Sequence, residues 1–149
     1  MTTSHPVYLV RHAKAEPHAA DDASRRLTPE GRERSLRLLG ALRERLKIAR
    51  VVTSPFLRAR ETAELLSRIT GAPLEEDPRL ASGASEGDEL LALVRAAAPG
   101  TALVGHNPEI AEAVARAAGK DVEVKPGAVA ELAVDGRAVR LAWIETPAS

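Results

Sequence analysis

The sequence contains no cysteine, and this absence removes several kinds of chemistry from consideration. Disulfide bonds, thiolate nucleophiles and cysteine-based zinc sites are excluded, which is compatible with the cytoplasm. Residues 1–6 show neither the charged nor the apolar region of a signal peptide. No apolar run approaches the roughly 20 residues of a transmembrane helix. We therefore expect a cytoplasmic protein without a membrane partner.

Aromatic residues and an excess of either charge are also lacking. Phe, Trp and Tyr make up 2% of the chain, so a surface on which nucleic-acid bases stack is not expected. The chain has 21 Lys and Arg against 21 Asp and Glu, which gives a formal net charge of +0. Broad electrostatic binding to nucleic acid or to an anionic membrane is therefore not expected either.

Short apolar runs alternate with amphipathic segments, which is typical of an α/β domain. The length of 149 residues suits a single domain over 1–149. Strands are predicted at 7–10, 50–53, 73–76 and 101–104, and helices at 29–46, 55–70, 86–98 and 108–118. Asp135-Gly136 separates the runs 128–134 and 137–144, a strong hairpin signal. The predicted fold is a three-layer α/β/α domain with a largely parallel central sheet and a C-terminal antiparallel hairpin.

Three of the helices are predicted to begin with a capping side chain followed by proline. Thr28-Pro29, Ser54-Pro55 and Asn107-Pro108 each place a side-chain acceptor just before the first helical position. The free N–H groups and the positive dipole end of such a helix favour an anionic ligand.

Cationic and imidazole side chains follow the ends of the predicted strands. Arg11 and His12 come directly after the first strand, Arg58 lies shortly after the second, and His106 follows the strand 101–104. Because ligands bind at the carboxyl edge of α/β sheets, we expect these four side chains to converge there. Two arginines can bind a phosphate, a neutral imidazole can attack phosphorus, and a protonated imidazole can stabilise developing charge. Each residue alone also fits a structural role.

Four segments in this order resemble the motifs of the histidine phosphatase superfamily. They are LVRHA at 9–13, LTPEG at 27–31, TSPFLRARETA at 53–63 and VGHN at 104–107. The small size and the wording SPFLRA look most like SixA-type phosphohistidine phosphatases. The resemblance implies that His12 is the phosphorylated nucleophile and that Arg11, Arg58 and His106 complete the phosphate pocket.

Two departures from the family pattern bear on the chemistry. Ala13 stands where the signature has glycine, and a positive φ would suit it less well. Many members carry a glutamate as general acid after the third strand, but the stretch Arg79–Gly83 contains no carboxylate. Asp77, Glu86 and Asp88 lie near it, outside the motif position. An alkoxide leaving group needs a proton donor, whereas a protonated imidazole is a better leaving group.

The leading hypothesis is a metal-independent phosphatase that uses a phosphohistidine intermediate and acts on phosphohistidine in a protein. The protein partner would be a phosphorylated protein such as a histidine-phosphotransfer domain. The alternatives are a phosphatase for a small phosphomonoester or sugar phosphate and a non-catalytic phosphate-binding module. A mutase fits less well, because it needs a closed pocket and an acid/base glutamate.

Two further residues are candidate substrate contacts, and one alternative involves a metal. His18, in the loop 13–27, and Asn107 are predicted to bind substrate, although an exposed loop histidine and a helix cap explain them as well. No cofactor is expected. A metal site formed by His12, His18, Asp21 and His106 ranks last, because these residues lack a compact ligand spacing.

Overall fold

The computed structural model describes residues 3–148, and within them six strands form one sheet. The strands are β1 (His5–Arg11), β2 (Arg50–Thr53), β3 (Leu74–Glu76), β4 (Thr101–Gly105), β5 (Val129–Asp135) and β6 (Ala138–Glu145). The α-helices are α1 (Pro29–Leu42), α2 (Leu57–Thr70), α3 (Gly87–Ala96) and α4 (Glu109–Ala118). None of the helices in this part of the chain is long and apolar enough to cross a lipid bilayer.

The sheet has the strand order β3-β2-β4-β1-β5-β6. The first four strands in this order pair in parallel, and β5 and β6 add an antiparallel hairpin. The hairpin turns at Gly136, whose φ of 62° lies in the left-handed region that glycine tolerates. The predicted α/β architecture is confirmed, including the antiparallel hairpin at the C-terminal end.

Helices cover both faces of the sheet. Tyr8 and Val10 of β1 pack in one cluster with buried residues of α1 and α2, such as Leu39 and Leu66. Val7 and Leu9 point to the other face, where they join residues of α3 and α4. A parallel strand that is buried on both faces reads as an unbroken apolar run, which explains the sequence Val7–Val10.

Several predicted helix ends differ from the observed ones by one to four residues, and two of them have a clear local cause. The helix expected to reach residue 46 ends at Leu42, and a 3-10 turn at Arg43–Arg45 follows it. The last turn of a helix often tightens in this way. The helix expected to begin at Pro55 begins at Leu57, because Ser54 Oγ accepts a hydrogen bond from Phe56 N at 3.1 Å and holds a turn ahead of the helix.

The loop after β1 is more ordered than the sequence predicts. A 3-10 turn at Asp22–Ser24 lies within it, and Asp21 caps this turn by accepting from Ser24 N at 2.9 Å. The base of the loop is closed by a bridge between Ala15 and Leu27. The loop is therefore fixed at both ends, and the turn at Asp22–Ser24 extends from a rigid base.

Close packing of α1 against this loop depends on Gly31. A Cβ added at Gly31 would lie 2.3 Å from the carbonyl oxygen of Lys14, whereas a Cβ at Gly40 of the same helix would meet nothing within 4 Å. We predict that Gly31→Ala lowers the free energy of unfolding by about 1–3 kcal/mol through overpacking. Gly40→Ala is the matched control and should raise it by about 0.5–1 kcal/mol. Urea unfolding measures both, and equal stabilisation by the two changes would contradict the packing.

Candidate active site

The side chains that follow β1 and β4 meet at the carboxyl edge of the sheet. The rings of His12 and His106 are 5.2 Å apart between centroids. Arg58 reaches them from the first turn of α2, and its Nε lies 3.3 Å from His12 Nε2. His12, His106 and Arg58 are all buried, with exposed fractions of 8%, 2% and 4%. The structure thus brings two imidazoles and a guanidinium into one small site.

His12 is held in a single tautomer. Its Nδ1 lies 2.7 Å from the carbonyl oxygen of Ala13, an acceptor, so Nδ1 carries the proton. Nε2 is then the unprotonated nitrogen and accepts from Arg58 Nε. The pKa of His12 is lowered to about 4, chiefly by burial and also by the nearby cations Arg58, Arg11 and Arg25, while the bond to Ala13 acts in the opposite direction. A neutral ring with an unprotonated Nε2 is the form that attacks phosphorus.

Arg11 is the second arginine of the site, in addition to Arg58. Its Nη1 donates to the carbonyl oxygen of Val124 at 2.9 Å, which fixes the guanidinium beside the ends of β1 and β5. Its Nε is buried and has no hydrogen-bond partner within residues 3–148. Burial lowers the pKa of Arg11. A buried donor without a partner is suited to an anionic ligand.

His106 rests on Ser54. Its Nε2 lies 2.8 Å from Ser54 Oγ, and Phe56 packs edge-on against the ring at 5.2 Å between centroids. The pKa of His106 is lowered to about 3, chiefly by burial and also by His12 and Arg58, while the carboxylate of Asp22 acts in the opposite direction. The ring is therefore neutral without a ligand, and its protonation in the presence of a phosphoryl group stays a prediction.

Ala13 fits the position of the signature glycine without strain. Among residues 3–148, no residue other than glycine has a positive φ. The N–H of Ala13 donates to Thr62 Oγ1 at 3.0 Å, and Thr62 in turn donates to the carbonyl oxygen of Arg58 at 2.9 Å. This chain of bonds ties the backbone after His12 to the helix that carries Arg58.

The two other predicted substrate contacts have different surroundings. His18 lies on the exposed part of the loop after β1. Asn107 uses both ends of its amide in the protein: Oδ1 accepts from Ala111 N at 3.1 Å and Nδ2 donates to the carbonyl oxygen of Val124 at 2.9 Å. Substrate binding by these two residues stays a prediction.

The acidic residues near the third strand already have partners of their own. Asp77 binds Arg79 at 2.7 Å, Glu86 caps α3, and Asp88 pairs with Arg116 at 2.9 Å. Within residues 3–148, no group of three or more His, Asp or Glu side chains is arranged to hold a metal ion. The set of His12, His18, Asp21 and His106, the metal hypothesis that ranks last in the sequence analysis, is therefore not arranged as a metal site.

Two carboxylates of the site were missed by the sequence reasoning. Asp22 binds Arg58 from the loop after β1, with Oδ2 at 3.1 Å from Nη2. Glu109 is 7% exposed, accepts from Gly83 N at 3.1 Å, and lines a small pocket together with His106. Asp22 lies in a polar loop without a periodic pattern, so nothing in the sequence singled it out. Glu109 follows the Asn107-Pro108 helix start, where an acidic residue is ordinary.

Comparison with known proteins agrees with this geometry. The family model of the histidine phosphatase superfamily (branch 1) matches residues 7–90. The chain belongs to the histidine phosphatase superfamily. The match covers β1, the first loop, α1, α2 and the start of α3, so it includes His12 and Arg58, and the fold places His106 beside them.

Similar proteins include members named for phosphohistidine chemistry. The structure of the protein histidine phosphatase SixA complexed with tungstate superposes with a TM-score of 0.83 at 27% identity, over 95% of this chain and 97% of that one. An uncharacterised protein of Picosynechococcus sp. is 35% identical over 71% of this chain and 68% of its own length. The phosphohistidine phosphatase SixA of Escherichia coli is 37% identical over 45% of this chain and 42% of its own length.

The protonation of the two rings is open to direct measurement. We predict that, without ligand, both rings are neutral at pH 7 and titrate at about 4 for His12 and about 3 for His106. The unfolded chain takes up these protons near 6.5. Stability from this source is therefore complete above about 6.5 and is lost as the pH falls through the two folded pKa values.

Nitrogen-15 NMR of the imidazole rings measures this titration, and a His12→Ala variant assigns the signals. Inorganic phosphate should raise the pKa of His106, because a bound anion offsets the surrounding cations. Titration of either ring close to 6.5 in the ligand-free protein would contradict the buried, cation-lined site.

Proposed function

We propose that the protein hydrolyses phosphohistidine in a phosphorylated protein and that His12 is the nucleophile. Membership of the superfamily supports a phosphatase that works through a phosphorylated histidine. The observation that carries the finer proposal is a neutral His12 with an unprotonated Nε2, whose ring nitrogens have Arg58 and the carbonyl oxygen of Ala13 as partners and not a carboxylic acid.

The first step transfers the phosphoryl group to His12. The lone pair on Nε2 attacks phosphorus, and the bond between phosphorus and the substrate nitrogen breaks with its electron pair remaining on that nitrogen. When the other nitrogen of the substrate ring carries a proton, the ring leaves as neutral imidazole. His12 then holds phosphorus on Nε2 and a proton on Nδ1, and the carbonyl oxygen of Ala13 stabilises the positive charge.

The second step returns His12 to its starting form. Water attacks phosphorus, the bond to Nε2 breaks, the electron pair stays on Nε2, and the proton of the water goes to the departing phosphate. Arg11 and Arg58 offset the charge that gathers on the phosphoryl oxygens. His106 contributes as well once a bound dianion raises its pKa enough for the ring to hold a proton.

Phosphohistidine is the substrate class because of its leaving group. Asp77, Glu86 and Asp88 are engaged with Arg79, the start of α3 and Arg116. Asp22 is ionised, because hydrogen bonds from Arg25 and Arg58 hold its pKa below the usual range. Glu109, the other carboxylate of the site, accepts from Gly83 N through Oε2. An alkyl ester would need a carboxylic acid as proton donor, whereas a phosphorylated imidazole brings its own proton.

A protein partner, such as a histidine-phosphotransfer domain, is consistent with the loops beside the site. Residues 12–28 connect β1 to α1 and residues 77–86 connect β3 to α3, and within residues 3–148 no further domain covers these loops. The similarity to proteins named as SixA phosphohistidine phosphatases supports the same choice.

The nucleophile is tested by His12→Ala. We expect loss of turnover without loss of fold, because only this side chain can accept the phosphoryl group. Acid-labile phosphate should be trapped on the natural protein and be missing from the variant. His5→Gln is a matched control at the far end of β1 and should behave like the natural protein. Turnover by His12→Ala close to that of the natural protein would remove His12 from this role.

The leaving group is tested with simple esters. Without a positioned acid, kcat/KM for an aryl phosphate should exceed that for an alkyl phosphate by at least about a hundredfold, since general acid catalysis typically supplies 10²–10⁴-fold. The comparison uses 4-nitrophenyl phosphate against glycerol phosphate. Similar values for the two esters would refute the argument.

The class of the physiological substrate is tested by assaying three phosphorylated substrates in parallel with EDTA present. The substrates are a phosphorylated histidine-phosphotransfer domain, a phosphoserine peptide and a sugar phosphate. We expect rapid hydrolysis of the first only. Preference for the sugar phosphate would support the small-ester alternative, and tight phosphate binding without any turnover would support a binding module.

A further inference from the structure

Asp22 brings a negative charge to a site built for an anion. Its carboxylate Oδ2 accepts from Arg58 Nη2 at 3.1 Å, and its backbone carbonyl accepts from Arg58 Nη1 at 2.7 Å. The other carboxylate oxygen, Oδ1, accepts from Arg25 Nη1 at 3.0 Å. The side chain of Arg58 is 5% exposed while that of Asp22 is 58% exposed, so Asp22 reaches inward from the surface to a buried cation.

The contacts divide the guanidinium of Arg58 into two parts. Nη1 and Nη2 form its end, and Asp22 occupies that end with two acceptors. Nε and the remaining N–H of Nη2 form its side, and Nε points to His12 Nε2 at 3.3 Å. A guanidinium binds phosphate best through two parallel N–H groups. Asp22 therefore leaves one such pair directed to the place where the phosphoryl group meets His12.

We propose that Asp22 is a positioning residue, which orients Arg58 for the phosphoryl group and holds Arg25 beside the site. The inference depends on the proposed role of His12. It explains why a carboxylate is retained here although its charge opposes a phosphate anion. The contact keeps the guanidinium of Arg58 fixed during phosphoryl transfer, a step in which a small displacement of a catalytic group lowers the rate strongly.

The neighbouring Asp21 offers a matched control. Its carboxylate accepts from Ser24 N and Ser24 Oγ and caps the turn at Asp22–Ser24. Asp21→Asn removes one negative charge from the same loop and keeps a capping side chain. Asp22→Asn removes the charge of the side-chain acceptor, and Asp22→Ala removes the side-chain contact to Arg58 altogether. The backbone contact from Arg58 Nη1 to the carbonyl oxygen of residue 22 remains in both variants.

The test measures turnover of 4-nitrophenyl phosphate and inhibition by inorganic phosphate. Asp22→Ala should lower kcat by about tenfold to a hundredfold. The inhibition constant for phosphate should fall by about threefold, because a like charge is removed. Asp21→Asn should leave both values unchanged. Asp22→Ala combined with Arg58→Ala should be no slower than Arg58→Ala alone, since the two residues act as a unit.

Other outcomes overturn the proposal. An unchanged kcat in Asp22→Ala removes the positioning role, and a loss confined to alkyl phosphates makes Asp22 a proton donor. A weaker affinity for phosphate with a lower melting temperature makes it a structural residue. The NMR signal of Arg58 Nε provides a readout without turnover, so it holds even if the proposed reaction is wrong. The chemical shift of Arg58 Nε should change in Asp22→Ala and remain unchanged in Asp21→Asn. A chemical shift that is unchanged in both variants also overturns the proposal.

Discussion

The hydrogen bond between His12 Nδ1 and the carbonyl oxygen of Ala13 decides the chemistry of the site. At 2.7 Å it places the proton on Nδ1 and leaves Nε2 as the unprotonated nitrogen, the proposed nucleophile. Burial and three nearby arginines keep the ring neutral by lowering its pKa. In the proposed mechanism, Arg11 and Arg58 bind the phosphoryl group and also help burial to keep His12 unprotonated, so affinity for phosphate and reactivity are coupled.

The rest of the domain serves to hold this bond and its surroundings in place. The backbone of His12 donates to the carbonyl oxygen of Gly105 at 3.0 Å, which connects β1 to the strand that leads to His106. Ala13 is tied to Thr62 of α2, and Thr62 to the backbone of Arg58. Three separate segments of the chain are joined within a few hydrogen bonds of the nucleophile. The site is therefore as rigid as the sheet edge on which it stands.

Much of this could be predicted from the sequence, since strand ends and helix starts are local signals. The run Val7–Val10 followed by Arg11-His12 predicts both a buried strand and its functional end. The protonation of His106 could not be predicted, because burial and the summed charge of neighbouring cations lower its pKa. The role of Asp22 could not be predicted either, because its contacts with Arg58 join residues that are 36 positions apart in the chain.

A crystal structure of the protein with bound tungstate tests the central claim most directly, because tungstate occupies the place of the transferred phosphoryl group. The account predicts the metal oxyanion against Nε2 of His12, with its oxygens bound by Arg11, by the Nε side of Arg58 and by His106. The end of the Arg58 guanidinium should still be bound by Asp22. Tungstate at another place, or against Nδ1 of His12, would contradict the account.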